Sequence, residues 1–123
     1  MPVKVVDASA LAAILFGERS AATVSKQLED GIAVAPTLLR YELASVCLKK
    51  IRRHPERKEA LLQALSLFPR LALEEVEVPP TELTTLADRV GLSVYDAAYL
   101  WLARSLNAEV VTLDTDLRAA TET

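Results

Sequence analysis

A chain of 123 residues, 51% apolar and 25% charged, suits one folded domain around a single core and excludes a disordered segment. Its net charge of −3 argues against a surface that is basic throughout, while leaving room for a local basic patch. With one cysteine, Cys47, and one histidine, His54, an internal disulfide is excluded, and a zinc site or a Ser-His-Asp triad has little support.

Val3–Val6 is a β-branched run broken only by Lys4, which predicts a buried strand. Ala8–Phe16 follows as a helix rich in alanine and leucine, with Gly17 as its stop. Ala21–Leu28 is a second helix, closed by the Asp30-Gly31 turn. Ile32–Ala35 is a short apolar strand, and Pro36-Thr37 is expected to break it and open a helix to about Ile51. Helical sequence restarts at Pro55, with Leu61, Leu62, Leu65 and Phe68 on one stripe. Leu73–Val78 alternates weakly and is read as a strand that Pro79-Pro80 ends. Thr81 is expected to cap a helix that runs to Val90 and stops at Gly91. Ser93 is expected to cap the next helix, to about Leu106, which is apolar nearly all round and therefore central or at an interface. Glu109–Leu113 is a β-branched strand, and a short polar helix or tail ends the chain. Strands alternating with helices predict a single α/β domain over residues 1–123. Its mostly parallel central sheet lies between helices in three layers.

Four acids interrupt apolar sequence: Asp7 in VVDAS, Glu42 in LRYELAS, Asp96 in SVYDAAYLWLA and Asp114 in VVTLDTDL. A carboxylate near a core is costly unless its charge is compensated. Asp7 and Asp114 each follow a predicted strand, and ligands bind at the carboxyl ends of parallel strands. Asp96 lies in the first turn of a helix, where the helix dipole favours negative charge. Glu42 lies on or beside the apolar stripe of its helix. Each acid also has a plain structural reading. Asp7 can cap a helix, Ser93-Val-Tyr-Asp96 matches a capping box, Asp114 with Asp116 can organise a turn, and Glu42 can sit at a solvated rim. Together the four fit one edge of one sheet, and a divalent cation is the economical compensator.

The set resembles the PIN-domain nucleases, most closely the VapC-type toxins of toxin–antitoxin pairs, along nearly the whole chain from VVDASAL to VVTLDTDL. The resemblance implies that Asp7, Glu42, Asp96 and Asp114 are metal-binding catalytic acids. It makes Asp116 an auxiliary ligand and casts Ser9 and Thr112 as hydroxyls that orient them. One departure is that family members commonly continue past the fourth acid into a further short strand, which puts the sheet edge in question. Oxygen-only ligands favour one or two Mg²⁺ or Mn²⁺ ions over zinc. Such ions generate a nucleophile near neutral pH and stabilise the departing oxygen of a phosphodiester, so no histidine is required.

Six of the 14 basic residues fall within residues 49–58. Lys49, Lys50, Arg52 and Arg53 are candidate RNA phosphate contacts, or else a solvated helix end that complements the dipole. Arg40, Arg89 and Arg104 are alternative contacts. Tyr95, Tyr99 and Trp101 can stack on bases, or serve as core or dimer interface. Cys47 reads as a core residue. The longest apolar runs, Ala10–Phe16 and Ala97–Ala103, have seven residues each and cannot span a bilayer. The N-terminus shows no secretory pattern, so a cytoplasmic location without membrane association is expected.

The resulting expectation is a metal-dependent endoribonuclease toxin, a homodimer, restrained by a VapB-type antitoxin that covers the acidic pocket. The alternative is a non-toxin PIN domain in RNA processing, or a non-catalytic RNA- or protein-binding module on the same fold. Haloacid-dehalogenase phosphatases want a second acid where Ser9 stands, and receiver domains want a lysine near the last strand. Neither fits.

Overall fold

The computed structural model describes residues 2–122. Four strands, β1 (Val3–Val6), β2 (Ile32–Pro36), β3 (Leu73–Val76) and β4 (Glu109–Val111), form one sheet in the order β3-β2-β1-β4. Every pairing is parallel. The helices are α1 (Ala8–Leu15), α2 (Ala21–Leu28), α3 (Leu39–Arg53), α4 (Lys58–Ser66), α5 (Pro80–Val90), α6 (Val94–Leu106) and α7 (Thr115–Thr121).

The chain steps from β1 to β2 to β3 in one direction, then crosses back to place β4 on the far side of β1. Parallel crossovers are right-handed, so α1 to α4 cover one face and α5 and α6 the other. This is the expected three-layer arrangement. The order of strands reverses between β1 and β4, and that switch point is where an open parallel sheet forms a crevice at its carboxyl edge.

The core explains the sequence pattern. Val5, Val6, Val34, Ala35 and Val111 are buried in the sheet, with Leu39, Leu43, Tyr99, Leu102 and Leu117 packed from the helices. Ala10, Ala12 and Ala13 are buried on α1; their small side chains let that helix lie close to its neighbours. The entry to β2 is equally tight. A Cβ on Gly31 would sit 2.8 Å from the Pro2 carbonyl oxygen, beside the 2.8 Å bond from the Ile32 N–H to that same oxygen. Helix α6 is central, as its composition requires: it packs on β1, β2 and β4 and against α5 and α7.

Several predicted boundaries move. Pro36 does not break β2 but ends it, paired with Val76. It is tolerated because the β1 register stops at Val34, so no N–H is wanted from Pro36. Helix α3 starts at Leu39 without a side-chain cap. Thr81 does not cap α5. Pro80 takes the first helical position, where a missing N–H costs nothing, and the Thr84 and Thr85 hydroxyls bond back to the Pro80 and Thr81 carbonyls. Strand β3 ends at Val76 and β4 at Val111, each two residues early. After Asp114 the chain forms α7, so β4 is the sheet edge among the described residues.

Candidate active site

The site is assembled at the β1–β4 switch point. Asp7 leaves β1 and caps α1, its Oδ1 accepting the Ala10 N–H at 3.0 Å and the Ser9 hydroxyl at 2.8 Å. Its Oδ2 accepts the hydroxyl of Thr112. The Thr112 Oγ1 in turn accepts the Asp114 N–H at 2.9 Å, and Ser9 Oγ accepts the Leu113 N–H at 2.9 Å. These bonds tie the ends of β1 and β4 together, and the last main-chain link is the Asp7 N–H to the Val111 carbonyl at 3.2 Å. Asp7 and Thr112 are both buried.

Asp114 caps α7, its Oδ1 accepting the N–H groups of Asp116 and Leu117 at 2.9 and 3.1 Å. The capping reading of Asp7 is therefore correct as geometry, and Asp114, expected to organise a turn, caps a helix instead; each cap leaves carboxylate lone pairs unused. Asp96 follows the Ser93 cap, whose hydroxyl accepts the Asp96 N–H at 3.1 Å. The Asp96 carboxylate makes no return bond to Ser93 among the described residues, so it is free for other use. Helix α6 returns antiparallel to the strands, and its first turn carries Asp96 over the carboxyl edge. Glu42 enters from the first turn of α3, half-buried, with Oε1 accepting the Tyr99 hydroxyl.

The electrostatics join these acids. Burial raises the pKa of Asp7, opposed by its bonds from Thr112, the Ala10 N–H and Ser9, while the charge of Asp114 raises it further. Burial also raises Glu42, opposed by the Tyr99 bond and assisted by the charges of Asp96 and Asp7. Asp96 is raised by burial, then by Asp114, Asp7 and Asp116. Tyr99 is pushed far above its usual range by burial and by Glu42, so it stays a donor at any working pH.

Among the described residues, ion pairs join Lys4 to Asp30, Arg40 to Glu75, Lys50 to Glu18 and His54 to Glu56, and none reaches the acid cluster. Nor do any three histidines, cysteines or acids there close around an ion as they stand. The donor chemistry nonetheless fits a hard cation: every candidate ligand is a carboxylate oxygen, and Asp7, Glu42, Asp96 and Asp114 each keep lone pairs to offer.

The model of the PIN domain matches residues 4–122. The chain belongs to the PIN-domain family. It is 32% identical over 122 residues to Ribonuclease VapC3 of Pyrobaculum aerophilum, covering 92% of this chain and 90% of that one. The crystal structure of PAE2754 from Pyrobaculum aerophilum superposes with a TM-score of 0.80 at 28% identity, over 98% of this chain and 86% of that one. Mycobacterium tuberculosis VapC20, a toxin that cleaves the sarcin–ricin loop, shares the fold with a TM-score of 0.68 at 17% identity, over 95% and 94% of the chains.

Within this PIN fold the other sequence candidates separate. Arg40 stands in the first turn of α3, its guanidinium engaged by Glu75. Lys49, Lys50, Arg52 and Arg53 lie at the far end of α3, about 10–16 Å beyond Glu42 by helical rise. Lys50 pairs with Glu18 at 3.3 Å and lies over the Phe16 ring. Cys47 is buried. No helix of the described residues is long and apolar enough to cross a membrane. Sequence reasoning missed Tyr99 as a partner of Glu42. A tyrosine in the middle of an apolar helix was a signal, since a buried phenol needs a partner, but the contact spans 57 residues.

Proposed function

We propose that this PIN domain is a metal-dependent endoribonuclease, the toxin of a VapBC-type pair. What supports the reading is that Asp7, Glu42, Asp96 and Asp114 feel one another's charge at the carboxyl edge of the sheet, with no ion pair to any of them among the described residues. The likeness to a relative named as a ribonuclease supports it. Asp7, Glu42, Asp96 and Asp114 would hold one or two Mg²⁺ or Mn²⁺ ions, with Asp116 beside them. When bound, such ions supply an activated water and neutralise charge developing on the scissile phosphate. The chain's own residues position the acids. Ser9 and Thr112 fix both Asp7 oxygens, the N-terminus of α7 aligns Asp114, and Tyr99 holds Glu42. No residue of the site acts as an acid–base histidine.

An acidic pocket of this kind also fits inhibition by a VapB-type antitoxin that inserts a cationic side chain. Exposed apolar residues such as Leu48, Leu62 and Leu67 fit contacts with that partner or a second copy, and a cytoplasmic location follows from the substrate. The test is end-mapping of RNA incubated with purified protein, with Mg²⁺ or Mn²⁺ and with chelator. Cleavage is expected only with metal, and lost in Asp7→Asn and Asp96→Asn variants that keep the native circular dichroism spectrum. Full activity in both variants, or undiminished cleavage in chelator, overturns the assignment.

A further inference from the structure

One peptide group stands between β4 and Asp114: the carbonyl of Thr112 with the N–H of Leu113. The N–H donates to Ser9 Oγ at 2.9 Å, and the Ser9 hydroxyl donates to Asp7 Oδ1 at 2.8 Å. The carbonyl accepts from the guanidinium of Arg118. This plane is therefore held at both ends, by a side chain of α1 and a side chain of α7. The next N–H along, that of Asp114, is held by Thr112 Oγ1 at 2.9 Å. The sheet explains why an arginine is wanted. Val111 turns its carbonyl towards β1, where it accepts the Asp7 N–H. Successive carbonyls of an extended chain point to opposite sides, so that of Thr112 faces the open side of β4. No strand lies there among the described residues to donate to it. Arg118 stands one turn into α7, its own N–H bonded to the Asp114 carbonyl at 3.0 Å, and makes no ion pair among the described residues.

We infer that Arg118 is a positioning residue: its guanidinium does the work of a neighbouring strand, clamps the 112–113 peptide, and so aligns Asp7 and Asp114 for a divalent cation. The inference rests on the nuclease reading and adds a cationic side chain that serves the acids without pairing with them. A guanidinium bound directly to Asp7 or Asp114 would occupy the lone pairs that a metal needs. One peptide away, it leaves them open. Its charge still reaches the acids, because hydrogen bonds in a chain polarise one another. The guanidinium polarises the Thr112 carbonyl, the Leu113 N–H becomes a better donor to Ser9, and the Ser9 hydroxyl a better donor to Asp7. Groups that orient metal ligands from behind in this way matter to metal affinity nearly as much as the ligands do.

The test follows amide hydrogen exchange by NMR in the metal-free full chain and Mg²⁺ binding by calorimetry. Arg118→Met keeps the apolar stem and loses the donors, while Arg118→Lys keeps a charged donor. In Arg118→Met the Leu113 and Asp114 amides are expected to exchange about 10- to 100-fold faster, the worth of one charged hydrogen bond, with the Val5 and Val34 amides unchanged. Mg²⁺ affinity is expected to fall about 10- to 100-fold. Arg118→Lys is expected to restore most of both. Arg104→Met removes a charge from the same groove beside β4 but no bond to the peptide, and is expected to bind Mg²⁺ like the parent. Unchanged exchange at Leu113 and Asp114 in Arg118→Met overturns the inference. Faster exchange spread through the core overturns it as well, since Arg118 would then be a general stabiliser. So does an equal loss of Mg²⁺ affinity in Arg104→Met, an effect of charge alone. A lower salt slope of RNA binding with unchanged Mg²⁺ affinity would make Arg118 a phosphate contact and also overturns it. In all these cases metal-dependent cleavage by the parent leaves the nuclease reading standing. Should the parent bind no Mg²⁺ and cut no RNA, that reading falls by itself, and the exchange data still decide whether the clamp exists.

Discussion

The Thr112 hydroxyl donates to Oδ2 of Asp7 across 105 residues of chain, and its own oxygen, Thr112 Oγ1, accepts the Asp114 N–H at 2.9 Å. One buried hydroxyl thus serves two of the four acids. Thr112→Val preserves shape but leaves a buried carboxylate and a main-chain N–H each short of a partner. The expected loss is about 1–3 kcal/mol of stability, read from urea unfolding, with Thr112→Ser losing much less. Equal stability of Thr112→Val and the parent would show that the two strand ends are not joined through this group.

Tyr99→Phe isolates the donor that holds Glu42. Removing the hydroxyl takes away the bond that lowers the Glu42 pKa, while burial and the charges of Asp96 and Asp7 remain. Glu42 then titrates at a still higher pH. Calorimetric Mg²⁺ titrations near pH 6 are expected to show weaker binding than in the parent, with the difference narrowing as pH rises and Glu42 ionises. A pH-independent difference would point to lost packing instead.

The acids make metal-free stability depend on pH in a defined direction. In the folded chain Asp7, Glu42 and Asp96 hold their protons above the ordinary carboxylate range. In the unfolded chain they release them from about pH 4. The folded state therefore binds more protons across that interval. Stability is full below it and falls as pH rises through the raised values. In chelator, the thermal midpoint should decline from about pH 4 towards neutrality, relative to an Asp96→Asn variant in which one of these groups is removed. Millimolar Mg²⁺ should restore the parent midpoint near neutrality. Superimposable melting curves with and without metal would count against the cation site.

The sequence disclosed the acids more clearly than the limits of the elements that carry them. Asp7 and Asp114 were legible because each ends a β-branched run, and Asp96 because Ser93 announces its helix. Strand limits were not, because a partner decides them. Strand β4 stops at Val111 when β1 stops at Val6 and Asp7 turns away to cap α1. Pro36 stays in β2 because only β3 pairs with it. The two roles of the α6 tyrosines were also hidden. Tyr95 and Tyr99 share a helical face, yet the first turn projects beyond the sheet while the second is covered by α3 chemistry through Glu42. Only the placement of α6 over the strand ends separates an exposed ring from a buried donor.

The basic residues of α3 allow a last prediction. Lys49, Arg52 and Arg53 are exposed and stand at the opposite end of the helix from Glu42. If they meet RNA, they do so through phosphates away from the cleaved bond, by a contact that salt screens. Replacing the three by glutamine should then lower the slope of log affinity against log salt by about 2 for single-stranded RNA, while single-turnover cleavage at saturating protein keeps its rate. An unchanged slope would leave these residues as a solvated helix end. Arg40 should differ from them. Its guanidinium is already engaged by Glu75, so Arg40→Gln alone should change the slope less than any one of the three, and Glu75→Gln, which frees Arg40, should strengthen RNA binding at low salt.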